Sequence, residues 1–156
     1  MLALPNWGYS FQNYDKDKMA ITSGRDLRIS PKAAREICAF IRKMNLQDAK
    51  ETLEGVVDLQ VAIPYKRHKK EVPHRRGLEG WFAGRYPTKA AKAILRLLNG
   101  LQASAEDKGL DTERLRIIHA ATQRGTKILK IMPRAFGRSS AYNRELTHVE
   151  LAVAEI

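Results

Sequence analysis

Apolar and polar positions follow different periods in different parts of the chain, and each period predicts a type of element. The spacing predicts a strand over residues 18–29, with a bulge at Gly24. Apolar residues then recur at helical spacing over residues 31–45, 47–59 and 87–107. The last third returns to alternation in steps of two, which is typical of strands. The pattern predicts an α+β fold, with a small antiparallel sheet packed with three helices.

The first helix has a clear beginning and a buried stripe. Ser30 can cap it, and Pro31 suits its first turn, where the missing N–H group costs no hydrogen bond. The apolar stripe consists of Ala34, Ile37, Cys38 and Ile41. Because Cys38 lies on this stripe with no histidine near it in sequence, we interpret it as a packing residue and not as a nucleophile.

The third helix has two faces of different character. Pro87 opens it, and Gly109 ends the element. A basic face carries Lys89, Lys92 and Arg96, which are either solvated or a secondary contact with RNA. Its apolar face comprises Ala90, Ile94, Leu97, Leu98, Leu101 and Ala105.

Two alternating stretches near the C-terminus predict an antiparallel hairpin over residues 114–153. One side of the first strand carries Leu115, Ile117, His119 and Ala121, and one side of the second carries Thr147, Val149, Leu151 and Val153. His119 and His148 are then expected to face each other across the hairpin. Each arm of about 15 residues spans roughly 50 Å, whereas a domain of this length has a radius of gyration of about 15 Å. The hairpin must therefore be long and protrude, with its tip near residues 126–138.

Residues 62–86 are predicted to form a long basic loop. The stretch contains two prolines and three glycines and has no clear period. Aromatic residues are interleaved with its bases, at Tyr65, Trp81, Phe82 and Tyr86. Two interpretations stay open, because such aromatics can stack on nucleic-acid bases or can anchor the loop to the core.

Composition narrows the class of protein. The 156 residues carry a formal net charge of +11 and a pI near 10.0, which indicates a polyanionic partner. Apolar residues make up 44% of the chain, too many for a disordered basic tail. No apolar run approaches the roughly 20 residues that span a bilayer, and no secretory signal is recognised, so we expect no membrane insertion. The single cysteine excludes an internal disulfide and a cysteine-built zinc site, and predicts a reducing compartment.

The positive charge is concentrated in two segments. Residues 62–86 contain seven basic and two acidic residues, and residues 114–144 contain eight basic residues and no acid. Together the two segments carry +13, so the other 100 residues sum to −2. A surface that is basic only for solubility mixes acids with bases. The segregation therefore predicts that these two segments contact a polyanion.

The sequence contains no constellation typical of an enzyme. Glycine-rich phosphate loops, GxSxG, HExxH and His/Cys ligand spacings are absent. His68 and His74 lie in the basic loop and are interpreted as RNA contacts or polar loop residues. Glu51, Glu54 and Asp58 follow helical spacing, which is typical of a solvated face. No catalytic residue, metal site or cofactor is predicted.

Three motifs give the chain a resemblance to a known family. They are the helix entry at residues 29–35 (ISPKAAR), the pair 64–68 (PYKRH) and 84–90 (GRYPTKA), and residues 133–141 (PRAFGRSSA). The order of predicted elements agrees as well, nearly end to end. On these motifs the chain resembles the universal large ribosomal subunit protein 22 family, in its archaeal and eukaryotic form.

The resemblance implies a small body on the outer face of the large subunit and a hairpin that threads into ribosomal RNA to line the nascent-polypeptide exit tunnel. It also implies a role in subunit assembly and a ribosome-bound location in the cytoplasm. The expected partners are large-subunit ribosomal RNA, neighbouring large-subunit proteins and the nascent polypeptide. Gly125 is expected to let the ribbon bend, and the tip is expected at Ile131, Met132, Pro133, Arg134, Ala135, Phe136 and Gly137.

The leading hypothesis is a structural, non-catalytic protein of the large subunit whose single domain spans residues 1–156. RNA contacts are expected at Lys32, Arg35, Lys66, Arg67, His68, Lys69, Lys70, His74, Arg75, Arg76, Arg85 and Lys89, and in the hairpin at Arg116, Arg124, Lys127, Lys130, Arg134, Arg138 and Arg144. A free-standing basic RNA- or DNA-binding protein is the alternative, and an enzyme acting on RNA is a third hypothesis. Residues 1–17 are either an arm on a partner or a poorly ordered terminus.

Overall fold

A three-stranded antiparallel sheet organises the protein, with the strand Arg144–Glu155 between the strands Met19–Leu27 and Leu115–Ile128. The computed structural model describes residues 8–15 and 17–156. In chain order its strands and α-helices are β1 (Met19–Leu27), α1 (Pro31–Ile41), α2 (Leu46–Val57), β2 (Ile63–Pro64), β3 (Gly84–Arg85), α3 (Thr88–Glu106), β4 (Leu115–Ile128), β5 (Ile131–Pro133), β6 (Ser139–Ala141) and β7 (Arg144–Glu155). The predicted α+β class, with antiparallel sheets and three helices, is confirmed.

The core lies between one face of this sheet and the helices. Helix α1 packs on β4, α3 packs on β1, and α2 packs mainly on α3. Ile37, Leu98 and Leu151 are among the fully buried side chains at this junction. Cys38 is buried with them, and burial raises the pKa of its thiol to about 12. The thiol is therefore protonated at neutral pH and acts as a packing group, as predicted.

A β-bulge in β4 changes which residues face the core. The register with β7 shifts between Ile117 and His119, where Ile117 also exchanges backbone hydrogen bonds with Lys43 and Met44, each 2.9 Å long. An extra residue in a strand inverts the alternation that follows it. Ala120 is consequently buried with the core, and the prediction that His119 shares the side of Ile117 is wrong.

The predicted pairing of the two hairpin histidines is also wrong. The residue opposite His119 is Ala152, and the residue opposite His148 is Gln123. His148 instead accepts a hydrogen bond at Nδ1 from the backbone N–H of Asp26, at 3.0 Å. The two imidazoles therefore contact different residues.

The predicted irregular loop contains a short ladder. Strands β2 and β3 pair antiparallel, with Ile63 opposite Arg85, and an isolated bridge joins His74 to Ala83. The expectation of no regular structure over residues 62–86 was therefore wrong at its two ends and at this bridge. The ladder brings the two ends of the loop together, so that basic residues from both ends lie on one surface.

Strands β4 and β7 continue beyond the body as a hairpin that β5 and β6 complete. Residues 129–139 are exposed throughout. The chain reverses at Phe136 and Gly137, with φ of 59° and 67°, and the N–H of Arg138 donates to the carbonyl of Ala135. Two consecutive positive φ values identify a type I′ turn, whose twist matches that of the flanking strands.

The base of the hairpin contacts the end of β1. The β4–β7 register shifts a second time between Arg124 and Lys127, and there the Asp26 carboxylate accepts a hydrogen bond from the N–H of Thr126, at 3.1 Å. A Cβ atom added at Gly125 would lie 2.7 Å from Asp26 Oδ1 and 2.8 Å from the His148 ring. Glycine permits this close approach because it has no Cβ atom. The bulge lies where the hairpin leaves the body.

Residues 8–15 lie on the body itself. Ser10 donates from both its N–H and its hydroxyl to the carboxylate of Glu150, and the Phe11 ring packs 5.1 Å from the His119 ring. Further along, Lys108 Nζ donates to the hydroxyl of Tyr14 at 2.6 Å. Because Glu150 alternates with core residues of β7, this segment covers the sheet face opposite the helices. Residues 1–7 of the predicted arm lie outside the described part of the chain.

The Glu150 contact predicts a pH-dependent stability. Glu150 is 1% exposed, and burial raises its pKa. The Ser10 hydrogen bonds and the charges of Arg25 and His119 outweigh burial and leave the pKa below its ordinary value. A carboxyl group with a lowered pKa stabilises the folded state above its ordinary pKa, and this contribution is lost as the pH falls through the folded value. The melting temperature of the wild type should therefore fall as the pH is lowered below 4.5, the ordinary pKa of the carboxyl group.

Thermal unfolding of the wild type and of Glu150→Gln across pH 3 to 7 checks this prediction. The variant should melt lower at neutral pH and lose less stability on acidification, because its amide does not titrate. Parallel pH profiles for the two proteins would show that Glu150 does not carry the effect.

Candidate nucleic-acid interface

A basic cleft of about 730 Å³ lies between the first turns of α1 and α3 and the basic loop. No acidic residue occurs in the first turn of either helix, so the partial positive charge of each helix N-terminus is not neutralised there. One acidic side chain, Glu71, also lines the cleft. Five cationic side chains line it as well, Lys32, Arg67, Lys70, Arg85 and Lys89. The cleft is therefore suited to an anion such as the phosphate of a nucleic acid.

The conformation of the basic loop depends on a buried carboxylate, that of Glu36 on α1. Its side chain is 3% exposed and accepts three backbone hydrogen bonds from the loop. Oε2 accepts from the N–H of Lys66 at 3.1 Å, and Oε1 accepts from those of Arg67 at 3.1 Å and His68 at 2.8 Å. The loop backbone is thus fixed to α1 while the Lys66 and Arg67 side chains stay exposed.

The role of Glu36 was not predicted from the sequence, because a single acid among basic residues on a helix is usually solvated. A signal was present all the same. Glu36 lies on the same side of α1 as Ala33 and Ile37, and all three are buried. A charged residue at a core-facing position requires a partner, and here the partners are the N–H groups of the loop.

The aromatic residues of the loop divide into anchors and an exposed ring. Tyr65 is buried, and the Trp81 indole N–H donates to its carbonyl at 2.9 Å. The anchoring interpretation therefore holds for these two residues. Phe82 stacks on Trp81 and remains 47% exposed. Cations lie over two of the loop's rings. Lys69 Nζ is 5.7 Å from the centre of the Trp81 ring, and the Arg75 guanidinium is 5.3 Å from that of Tyr86.

A shallower groove of about 360 Å³ joins the cleft to the hairpin. Ser30 and Lys89 line both depressions, and Arg144 and Tyr142 of the hairpin line the groove. Arg28, which sequence analysis did not select, lines it too. The basic loop and the hairpin, which are separated in sequence by α3, therefore form one continuous basic surface.

The predicted contact residues are distributed unevenly over this surface. His68 lines the cleft, whereas Arg35, Lys66 and Arg76 are exposed outside it. The seven hairpin cations are all exposed, and in the described part of the chain only Arg124 forms an ion pair, with Glu145 at 3.7 Å. Arg134 donates to the Ser140 hydroxyl at 3.0 Å. Most of these charges thus lack an internal counterion and are accessible to phosphates. Their role as RNA contacts stays a prediction.

Other kinds of site find little support in residues 8–15 and 17–156. Within these ranges no group of three His, Cys, Asp or Glu side chains is arranged to hold a metal ion. No helix there is long and apolar enough to cross a membrane.

The role of Glu36 can be tested by replacing it with glutamine. The amide cannot offer two anionic oxygens to three N–H donors, and a hydrogen bond to a charged group contributes about 1.5–3 kcal/mol. We expect Glu36→Gln to lower the free energy of unfolding by about 2 kcal/mol and to accelerate hydrogen exchange at residues 66–68. Glu51→Gln, at an exposed site on α2, is the matched control. Unchanged exchange at residues 66–68 would contradict the anchoring role.

Comparison with known proteins identifies the family of the chain. The profile of a family described as ribosomal protein L22p/L17e matches residues 22–154. Large ribosomal subunit protein uL22 of Archaeoglobus fulgidus is 52% identical over 148 residues, which cover 95% of each chain. The protein of the same name from Methanopyrus kandleri is 49% identical over 153 residues, 96% of each chain. The match extends over the cleft, the groove and the hairpin, and the chain therefore belongs to the ribosomal protein L22p/L17e family.

Proposed function

We propose that the protein is a structural constituent of the large ribosomal subunit that binds large-subunit ribosomal RNA, supports assembly of the subunit and lines the nascent-polypeptide exit tunnel with its hairpin. Its family is a family of ribosomal proteins, structural and not enzymatic. The relatives named above are proteins of the large subunit, so the protein is ribosome-bound in the cytoplasm.

The observation that carries the RNA-binding proposal is the continuous basic surface. It runs from the cleft through the groove at Lys89 to Arg144 and along the hairpin. Cations without internal partners repel one another, and this repulsion is relieved when phosphates replace the missing counterions. RNA backbone lying along this surface would contact the body and the hairpin at once. Neighbouring large-subunit proteins are expected beside it.

The apolar residues near the tip support the insertion of the hairpin into a surrounding structure. Leu129 and Ile131 are each 75% exposed, and Phe136 is 93% exposed. Phe136 also has a positive φ, which side chains larger than that of glycine rarely adopt. Exposed apolar surface and a strained turn are unfavourable in a free ribbon and are typical of a functional contact. We assign the tip to contacts with RNA and with the nascent polypeptide.

Co-sedimentation with ribosomal subunits after a high-salt wash tests the proposal. We expect one copy of the protein per large subunit to remain bound. Recovery in the soluble fraction would favour the alternative, a free-standing basic RNA- or DNA-binding protein.

Two arginines beside the tip turn provide the corresponding variant. Arg134→Ala with Arg138→Ala should weaken binding to large-subunit ribosomal RNA and lower the slope of log affinity against log salt by about 1 to 2, because up to two phosphate contacts are lost. Arg114→Ala is the control, since Arg114 immediately precedes β4, at the end far from the tip, and pairs with Asp111. Both proteins should retain the wild-type circular dichroism spectrum. Global unfolding of the double variant, or an unchanged salt slope, would count against insertion of the hairpin.

The tunnel contact requires its own test. A photoreactive phenylalanine analogue at Phe136 should cross-link to a nascent chain stalled on the ribosome. The same analogue at Tyr9, far from the tip in sequence, should give no such product. Cross-links from Phe136 to ribosomal RNA alone would place the tip behind the tunnel wall and remove the nascent chain from its partners.

A further inference from the structure

We propose that the exposed face of Phe82, with His74 beside it, is a stacking surface for one unpaired base of the ribosomal RNA. This inference rests on the proposed function, because it takes RNA binding as given and adds a base-recognition site to the phosphate contacts. Neither the charge pattern nor the family assignment identifies such a site. It is a proposal about the chemistry of one patch in the basic loop.

The patch is a cluster of three rings. Trp81 and Phe82 are stacked, with centroids 5.1 Å apart and planes inclined by 23°. The His74 and Phe82 rings form a T-shaped pair, with centroids 5.0 Å apart and planes inclined by 67°. Trp81 is partly covered and Phe82 is exposed over 47% of its surface. The cluster therefore presents the outer ring of a stack to solvent.

The backbone holds the exposed ring in a defined position. The N–H of Arg75 donates to the carbonyl of Phe82 at 2.9 Å, and the N–H of Gly84 donates to that of Pro73 at 3.1 Å. The indole of Trp81 is fixed in turn by its 2.9 Å hydrogen bond to the Tyr65 carbonyl. A base that stacks on Phe82 would thus order few further side-chain torsions, which favours binding.

The surroundings of the ring indicate which partner it takes. Lys69 lies over Trp81, and the neighbouring Arg75 and Arg76 are exposed. An apolar patch for a protein partner has few charges at its centre, whereas a nucleotide requires an aromatic face for its base and cations for its phosphate. The acids of the loop, Glu71 and Glu79, are outnumbered by its seven cations. A single-stranded RNA nucleotide fits this combination better than an apolar protein surface does.

Replacement of Phe82 separates stacking from charge. Phe82→Leu keeps an apolar side chain and removes the π face, and we expect it to weaken binding to large-subunit ribosomal RNA by about 5- to 150-fold. The slope of log affinity against log salt should stay at the wild-type value, since no cation is lost. Phe82→Tyr should bind within about threefold of the wild type because it retains the ring. Ile156→Ala, at another exposed apolar site, is the control.

Each result of these titrations has a distinct meaning. Equal affinity of wild type and Phe82→Leu would overturn the stacking site and leave the proposed function intact, and would point to a protein partner for this ring. Weaker binding with a reduced salt slope would also overturn it, because phosphate contacts would then have been disturbed. Failure of the wild type itself to bind ribosomal RNA would reject the proposed function and this inference together. Thermal unfolding of both variants establishes that the loop and body remain folded.

Discussion

The pairing of β4 with β7 is the interaction on which both the body and the hairpin depend. The same two strands form two-thirds of the central sheet and then continue outward as the ribbon. Val149, Leu151 and Val153 of β7 are buried against the helices, so a slip of one residue would turn them away from the core. Core packing in the body therefore fixes the register of the strands, and with it the position of every cation along the hairpin.

Two buried carboxylates complete this arrangement in a chain of net charge +11. Glu36 accepts three N–H groups of the basic loop, and Glu150 accepts two groups of Ser10 and pairs with Arg25 at 3.2 Å. Each burial is tolerated because both oxygens of the carboxylate accept hydrogen bonds. Acidic groups thus organise backbone segments inside the protein, whereas most basic groups stay outside. This separation leaves the positive charge available to an external polyanion.

The sequence predicted those features that depend on a regular period. Ser30-Pro31, the stripe around Ile37 and the long apolar face of α3 gave the helices to within a few residues, and the three motifs identified the family. The first helix was expected to extend to residue 45 but ends at Ile41. The bulge after Ile117 was missed because residues 43–45 pair with β4 there, a contact with no trace in local alternation. Arg28 was missed for the same reason, since its role arises only when distant segments meet. Glu36 was missed although its position on the buried side of α1 was a local signal.

The groove at Lys89 has a consequence for how the body and the hairpin act together. Ser30 is the N-cap residue of α1, Lys89 lies in the first turn of α3, and Arg144 is the first residue of β7. All three nevertheless line the same groove. Under the proposed function, an RNA strand bound there would contact both parts at once, and its phosphates would neutralise charges that otherwise repel across the groove. Below the tip, Asp26 fixes the hairpin base through Thr126 and His148. Under the proposed function, docking of the body on RNA would therefore orient the hairpin, and the hairpin would enter RNA only along the direction that its base allows.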